Sequence, residues 1–293
     1  MLGHDLTLSY HGTTVVHEAE IHLQPGRVTA LVGPNGSGKS TLLRALARLH
    51  LPDAGRVLLA SDAEGRAHTM STGSVGSEPA DLVASGLDAA SLSARDFARR
   101  VTLLAQSRPT PGGLSVRELV EFGRHPYRGR WIAGDAGGHA IVERAMHLTG
   151  VHALADSPVD RLSGGQLQRV WLAACLAQDT GVLLLDEPTT YLDLRYQVEL
   201  LDLIRELADE HGVTIGVVLH DLDQAAAIAD RIVLLEAGRV RAVGTPAEVL
   251  VTDVLSSAYG IRVEVDIDER GCITTCPIGR YNTRRSAGEL ALA

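Results

Sequence analysis

The stretch Gly33-Pro34-Asn35-Gly36-Ser37-Gly38-Lys39-Ser40-Thr41 constrains this chain more than any other. It follows a short apolar run, Arg27 to Val32, that reads as a strand. It precedes Leu42, Leu43, Leu46 and Leu49, whose spacing predicts a helix opening near Lys39. A glycine-rich loop in that position offers successive backbone N–H groups at a helix amino terminus, where the dipole favours anions. Lys39 is also the sole lysine in a chain with 27 Lys plus Arg residues. A compact ammonium on a flexible stem acts as a point charge on phosphate, a task the planar guanidinium fork performs differently. The pattern G-x-x-x-x-G-K-[ST] between strand and helix therefore points to a nucleoside-triphosphate cradle. In it Lys39 reaches the outer phosphates and the Ser40 hydroxyl ligates magnesium. A chance glycine-rich turn explains neither the flanking elements nor the lone lysine.

A second run, Val182-Leu183-Leu184-Leu185-Asp186-Glu187, is an apolar strand ending in paired carboxylates. Asp186, at the strand's carboxyl end, is placed to hold magnesium. Glu187, one residue on, points elsewhere and can polarise a water for attack on a γ-phosphate. The next apolar run, Val213 to Leu219, ends in His220, which repeats that geometry and can contact the same phosphate; a satisfied structural histidine is the alternative. A helix from about Leu194 to His211 separates the two runs. Near-continuous apolar strands alternating with helices predict an α/β fold with a buried, mainly parallel sheet.

Bulk properties exclude several classes. The formal net charge of -9, without a basic block, argues against a nucleic-acid partner. The start, Met1-Leu2-Gly3-His4-Asp5, lacks the basic and apolar segments of a signal peptide, and no apolar run approaches the ~20 residues of a membrane span. The expectation is a soluble, cytosolic protein able to sit on a membrane protein. Cys175, Cys272 and Cys276 are an odd, sparse set that fits a reducing compartment. Cys272 and Cys276 read as free thiols, or alternatively as half of a metal site.

Along the chain, Leu6 to Tyr10 and Thr13 to His17 alternate as strands around His11-Gly12. Residues 61–91, rich in Ser, Ala, Gly and Asp, read as an exposed surface insertion, and 107–170 as a mostly helical subdomain. A single domain is expected over 1–270, with a flexible tail over 271–293.

Leu162-Ser163-Gly164-Gly165-Gln166 makes the pattern specific. With the motifs above, in this order, the chain resembles the ATP-binding subunit of an ABC transporter over nearly its whole length. The resemblance implies a P-loop ATPase core, an N-terminal antiparallel β subdomain and an inserted helical subdomain. It implies ATP and Mg2+ as cofactors. By resemblance Tyr10 stacks on adenine (a plain strand tyrosine is the alternative), and Gln106 senses magnesium and water. Ser163, Gly164, Gly165 and Gln166 cap the γ-phosphate held by an opposite subunit. Pro188-Thr189-Thr190-Tyr191-Leu192-Asp193 is the loop after the base, with Asp193 communicating across the dimer. The catalytic set so implied is Glu187, His220, Gln106 and Lys39; the metal set is Ser40, Gln106 and Asp186.

Partners follow from the same resemblance: a head-to-tail homodimer in the ATP state, integral-membrane permease subunits and a separate substrate-binding protein, at the cytoplasmic face of the membrane. Gln106-Ser107-Arg108-Pro109-Thr110, Leu114 to Val120 and Gly123-Arg124-His125-Pro126-Tyr127 resemble ATPases of ferric-siderophore importers. Haem and cobalamin importers, and a non-transport soluble ABC ATPase, are the alternatives. Residues 61–91 depart from that pattern, where a shorter connection is usual.

Overall fold

Val28–Val32 and Thr214–Val218 are buried at every position, and Val182–Asp186 at all but its first. A strand enclosed on both faces must be apolar throughout, which is why these runs lack the alternation of a half-exposed strand. They form the centre of the fold. The computed structural model describes residues 1–61, 78–108, 110–128, 135–190 and 192–279.

The chain runs β1 (Leu2–Tyr10), β2 (Thr13–His22), β3 (Val28–Val32), α1 (Lys39–Leu46), β4 (Ala54–Leu59), α2 (Pro79–Ser85) and β5 (Leu87–Asp88). Then come α3 (Ala94–Ala98), β6 (Val101–Leu104), α4 (Val116–Glu121), α5 (Gly138–Leu148), α6 (Gly164–Ala177) and β7 (Val182–Asp186). It continues through α7 (Leu194–Asp209), β8 (Thr214–Val218), α8 (Leu222–Ile228), β9 (Arg231–Glu236) and β10 (Arg239–Gly244). It closes with α9 (Pro246–Val249), α10 (Thr252–Tyr259), β11 (Val263–Ile267) and β12 (Ile273–Pro277).

The central sheet has the order β10-β9-β3-β8-β7-β6, with parallel pairing throughout except at the β9–β10 edge. One face packs on α7, α8 and the C-terminal helices through Ile204, Leu207, Ile215 and Val217. The other packs on α1 and the N-terminal strands through Leu31, Leu42, Leu43 and Leu46. The antiparallel sheet β2-β1-β4-β5 forms the N-terminal subdomain. Helices α4, α5 and α6 enclose a core of their own around Val116, Leu119, Val142, Met146 and Val170. The helical subdomain therefore reaches Ala177, beyond the expected limit near 170, because α6 continues unbroken from it and seats Leu172 in the main core.

Two expectations on chain organisation need correction. Of the stretch 61–91, residues 62–77 lie outside the described residues, but 79–91 are not an exposed loop. Leu82 of α2 packs with Leu2 and Leu58, and Leu87–Asp88 extends the N-terminal sheet through Leu58 and Leu59. The tail also begins later than Gly271. β11 and β12 form a hairpin, and Asp223 Oδ1 accepts hydrogen bonds from both the backbone N–H and the hydroxyl of Thr275, each at 2.8 Å. Residues 280–293 lie outside the described residues, as do Pro109, Gly134 and Tyr191.

Candidate active site

Gly33 to Thr41 leave the carboxyl end of β3 and turn into α1, whose first residue is Lys39. Two glycines are required here. Gly33 has φ 140°, and a Cβ there would lie 2.0 Å from the Leu235 carbonyl oxygen. Gly38 caps the helix at φ 99°, and a Cβ would lie 2.8 Å from Val16. Pro34, Asn35 and Gly36 form the outer part of the loop, with Asn35 and Gly36 exposed. Lys39 is buried, and its Nζ donates to the carbonyls of Gly33 at 2.8 Å and Pro34 at 2.9 Å. Burial pushes its ammonium pKa down, while the negative fields of Glu187 and Asp186 pull it back up. The ammonium is thus held inside the loop by carbonyls that an anion can replace. The Ser37 hydroxyl is also enclosed and has no hydrogen-bond partner among the described residues. Ser40 and Thr41 occupy the first turn of α1, half-buried.

Parallel pairing brings the other chemistry to the same edge. Val218 of β8 pairs with Leu31 on one side and with Asp186 on the other, so β3 and β7 flank β8 with their carboxyl ends level. Strands about 4.8 Å apart then set the Asp186 backbone about 10 Å from that of β3. Ligands of open α/β sheets bind in the crevice beyond such carboxyl ends. Glu187 follows with φ 52°, a left-handed conformation uncommon outside glycine, anchored by its N–H on the Val218 carbonyl at 3.2 Å. That turn separates the two carboxylates. Asp186 is fully enclosed, whereas Glu187 meets His220 and Gln106. His220 Nε2 lies 2.6 Å from Glu187 Oε1, and the Gln106 amide donates to Oε2. Gln106 stands just beyond β6, and His220 just beyond β8, so three adjacent strands each supply one group.

Asp186 Oδ2 lies 3.3 Å from the Arg44 guanidinium, and its Oδ1 has no hydrogen-bond partner among the described residues. A carboxylate oxygen enclosed without a donor suits a hard divalent cation, and the Ser40 hydroxyl on α1 supplies a second oxygen of the same character. Arg44 was not read from the sequence as part of the site. On the helical wheel Arg44 falls opposite the apolar face of Leu42, Leu43 and Leu46, where a charge reads as an ordinary solvent-facing residue.

Ser163 caps α6 through a reciprocal pair: its Oγ accepts from the Gln166 N–H at 3.3 Å, and Gln166 Oε1 accepts from the Ser163 N–H at 2.9 Å. Gly165 lies against the ring of Tyr196, which a Cβ would approach to 3.1 Å. Asp193 caps α7 by accepting from the Tyr196 N–H at 3.0 Å. Among the described residues, no hydrogen bond joins Ser163–Gln166 to the Gly33–Thr41 loop. Tyr10 is exposed at the end of β1, its ring centroid 4.5 Å from that of His50. A further link escaped the sequence. Arg108 donates to Gln168 at 2.7 Å, and Gln168 donates to the Pro188 carbonyl at 2.8 Å. The segment after Gln106, helix α6 and the loop after Glu187 are thereby joined.

The family model for ABC transporters matches residues 16–190. The chain belongs to the ABC transporter family. This ABC ATPase is 41% identical over 282 residues to the ferric enterobactin transport ATP-binding protein FepC of Escherichia coli (strain K12), covering 95% of this chain and 94% of the relative. It is 40% identical over 287 residues to the achromobactin transport ATP-binding protein CbrD of Dickeya dadantii (strain 3937), covering 97% and 96%. A solved metal-chelate type ABC transporter in an inward-facing conformation shares its fold, with a TM-score of 0.75 at 22% identity over 96% of this chain and 98% of that one. The ABC ATPase has no helix among its described residues long and apolar enough to cross a membrane.

Proposed function

We propose that this ABC ATPase energises uptake of an iron–siderophore complex, as a homodimer docked beneath a separate membrane permease that receives cargo from a substrate-binding protein. The convergence of Gln106 and His220 on Glu187, beside the Lys39 loop, carries the catalytic part of the reading. Near full-length similarity to two siderophore transport ATP-binding proteins supports the cargo class.

In this reading Lys39 and the backbone N–H groups of Gly33 to Thr41 hold the outer phosphates, and Tyr10 stacks on adenine. Asp186, Ser40 and Gln106 hold Mg2+, which when bound neutralises charge on the phosphates. Glu187 orients and polarises the attacking water, and His220 contacts the γ-phosphate. Ser163, Gly164, Gly165 and Gln166 offer the amino terminus of α6 to a phosphate on the opposite subunit. Ser163 and Gly164 are exposed on their own subunit, which supports a composite site, one half from each protomer. Asp193 lies at the start of α7 beside the same run and passes the state of one site to the other. The chain acts as one domain, peripheral at the cytoplasmic face.

Capture of the tagged chain from detergent-solubilised membranes, combined with radioiron uptake in cells lacking it, tests the proposal. The expected result is a polytopic permease in the eluate and loss of ferric-siderophore uptake. Recovery without a membrane protein would contradict transport. A permease with intact iron uptake, and loss of haem or cobalamin uptake instead, would contradict the cargo.

A further inference from the structure

Helix α5 carries His139, Glu143 and His147 at four-residue intervals, so the helical period sets them along one face. The helix ends at Leu148 with Thr149 as its cap, and Gly150 turns left-handed at φ 69°. The Val151 N–H then reaches back to the Met146 carbonyl at 2.9 Å. That turn folds the short 3-10 segment His152–Leu154 against the helix's last turns. His152 Nε2 comes to 3.1 Å from Glu143 Oε2, and the rings of His147 and His152 stack with centroids 4.0 Å apart. His139 Nε2 lies 4.0 Å from the other Glu143 oxygen. Donor atoms of Glu143, His147 and His152 all fall within 4.8 Å of one another.

We propose that Glu143, His147 and His152 form a binding site for a transition-metal dication of the zinc class, separate from the nucleotide site. The donor set decides the class. Two imidazoles and a carboxylate match zinc and its neighbours, whereas the magnesium ligands proposed at the sheet edge are oxygens. Bonds of about 2.0–2.2 Å in tetrahedral geometry need donors about 3.4 Å apart, so closure asks for shifts of about 1 Å in partly exposed side chains. Glu143 is already oriented. Arg117 pairs with its Oε1, leaving Oε2 turned to His152, and the Arg117 backbone N–H donates to the Ala155 carbonyl at 2.9 Å. The stacked rings carry their lone pairs in nearly parallel planes, so closing on one ion also turns the exposed His147 imidazole out of the stack. A bound metal ties the end of α5 to the 3-10 turn that leads towards Ser163, clamping the helical subdomain.

The test titrates Zn2+ into metal-stripped full-length chain, against a chromogenic chelator. It uses a Cys272→Ser/Cys276→Ser background so that the exposed thiols do not compete. One equivalent is expected to bind, to raise the thermal midpoint, and, with Co2+ as probe, to give the visible bands of a tetrahedral nitrogen–oxygen site. His147→Ala and His152→Ala should each weaken binding by more than about tenfold while the metal-free thermal midpoint stays put. His4→Ala, in the other His–carboxylate grouping among the described residues, should change nothing. Absence of zinc binding, binding that survives the His147→Ala/His152→Ala pair, or loss in His4→Ala would each overturn the proposal.

Discussion

His220 Nε2 sits 2.6 Å from Glu187 Oε1, joining the residues that follow two neighbouring parallel strands. Because Gln106 occupies the other oxygen, both lone-pair faces of the carboxylate are oriented by neighbours before substrate arrives. In the proposed mechanism Glu187 is the general base, and a base on a flexible stem needs such orientation by neighbouring groups. His220→Ala should therefore lower ATP turnover by about 100-fold while nucleotide affinity changes little, as read by steady-state kinetics and a fluorescent ATP analogue. Unchanged turnover would place His220 outside the reaction.

Lys39→Ala acts at an earlier step. Removing the ammonium that now rests on the Gly33 and Pro34 carbonyls should abolish measurable ATP binding without unfolding the chain. Gly33→Ala should do more damage, since its Cβ meets the Leu235 carbonyl at 2.0 Å in a left-handed backbone. Loss of nucleotide binding together with a lowered thermal midpoint is expected there, and for Lys39→Ala binding loss alone.

Much of this architecture was legible because burial on both faces writes a strand as an apolar run, and Val28–Val32, Val182–Asp186 and Thr214–Val218 are such strands. The loop and the paired carboxylates follow those runs directly, so their positions at one edge could be inferred. The contacts among them could not. Whether Glu187 turns towards Gln106 and His220, or Arg44 towards Asp186, depends on a left-handed backbone and on register, which no local pattern encodes. The elements misread were short. Helix α2 buries one residue, Leu82, and each strand of the β11–β12 hairpin buries one, so no period betrays them.

Leu82→Ala tests that correction. Leu82 fills a small cluster with Leu2 and Leu58, and its truncation should cost about 2 kcal/mol in urea unfolding with ATP turnover retained. A neutral result would return residues 79–85 to the status of a disposable loop.

Arg124 is buried, its guanidinium bonded to both Asp135 oxygens at 2.6 and 2.9 Å and to the Ala177 carbonyl at 2.9 Å. The Arg124 hydrogen bonds hold the Asp135 carboxyl below the usual carboxylate range despite its partial burial. A depressed folded pKa contributes stability that is fully present above the unfolded value of about 3.9 and is lost as pH falls from there through the folded value. Urea midpoints should therefore drop more steeply below about pH 4 in the wild type than in Asp135→Asn. Arg124→Leu, which strands Asp135, should cost about 3 kcal/mol at neutral pH.

The central claim is that Glu187 drives hydrolysis of ATP held between two copies of this chain. Glu187→Gln keeps the shape of the side chain and removes its basicity. With ATP and Mg2+ it should bind nucleotide, run as a dimer on gel filtration, and hydrolyse about 1,000-fold more slowly than wild type. A variant that remained monomeric with ATP bound, or retained wild-type turnover, would contradict the account.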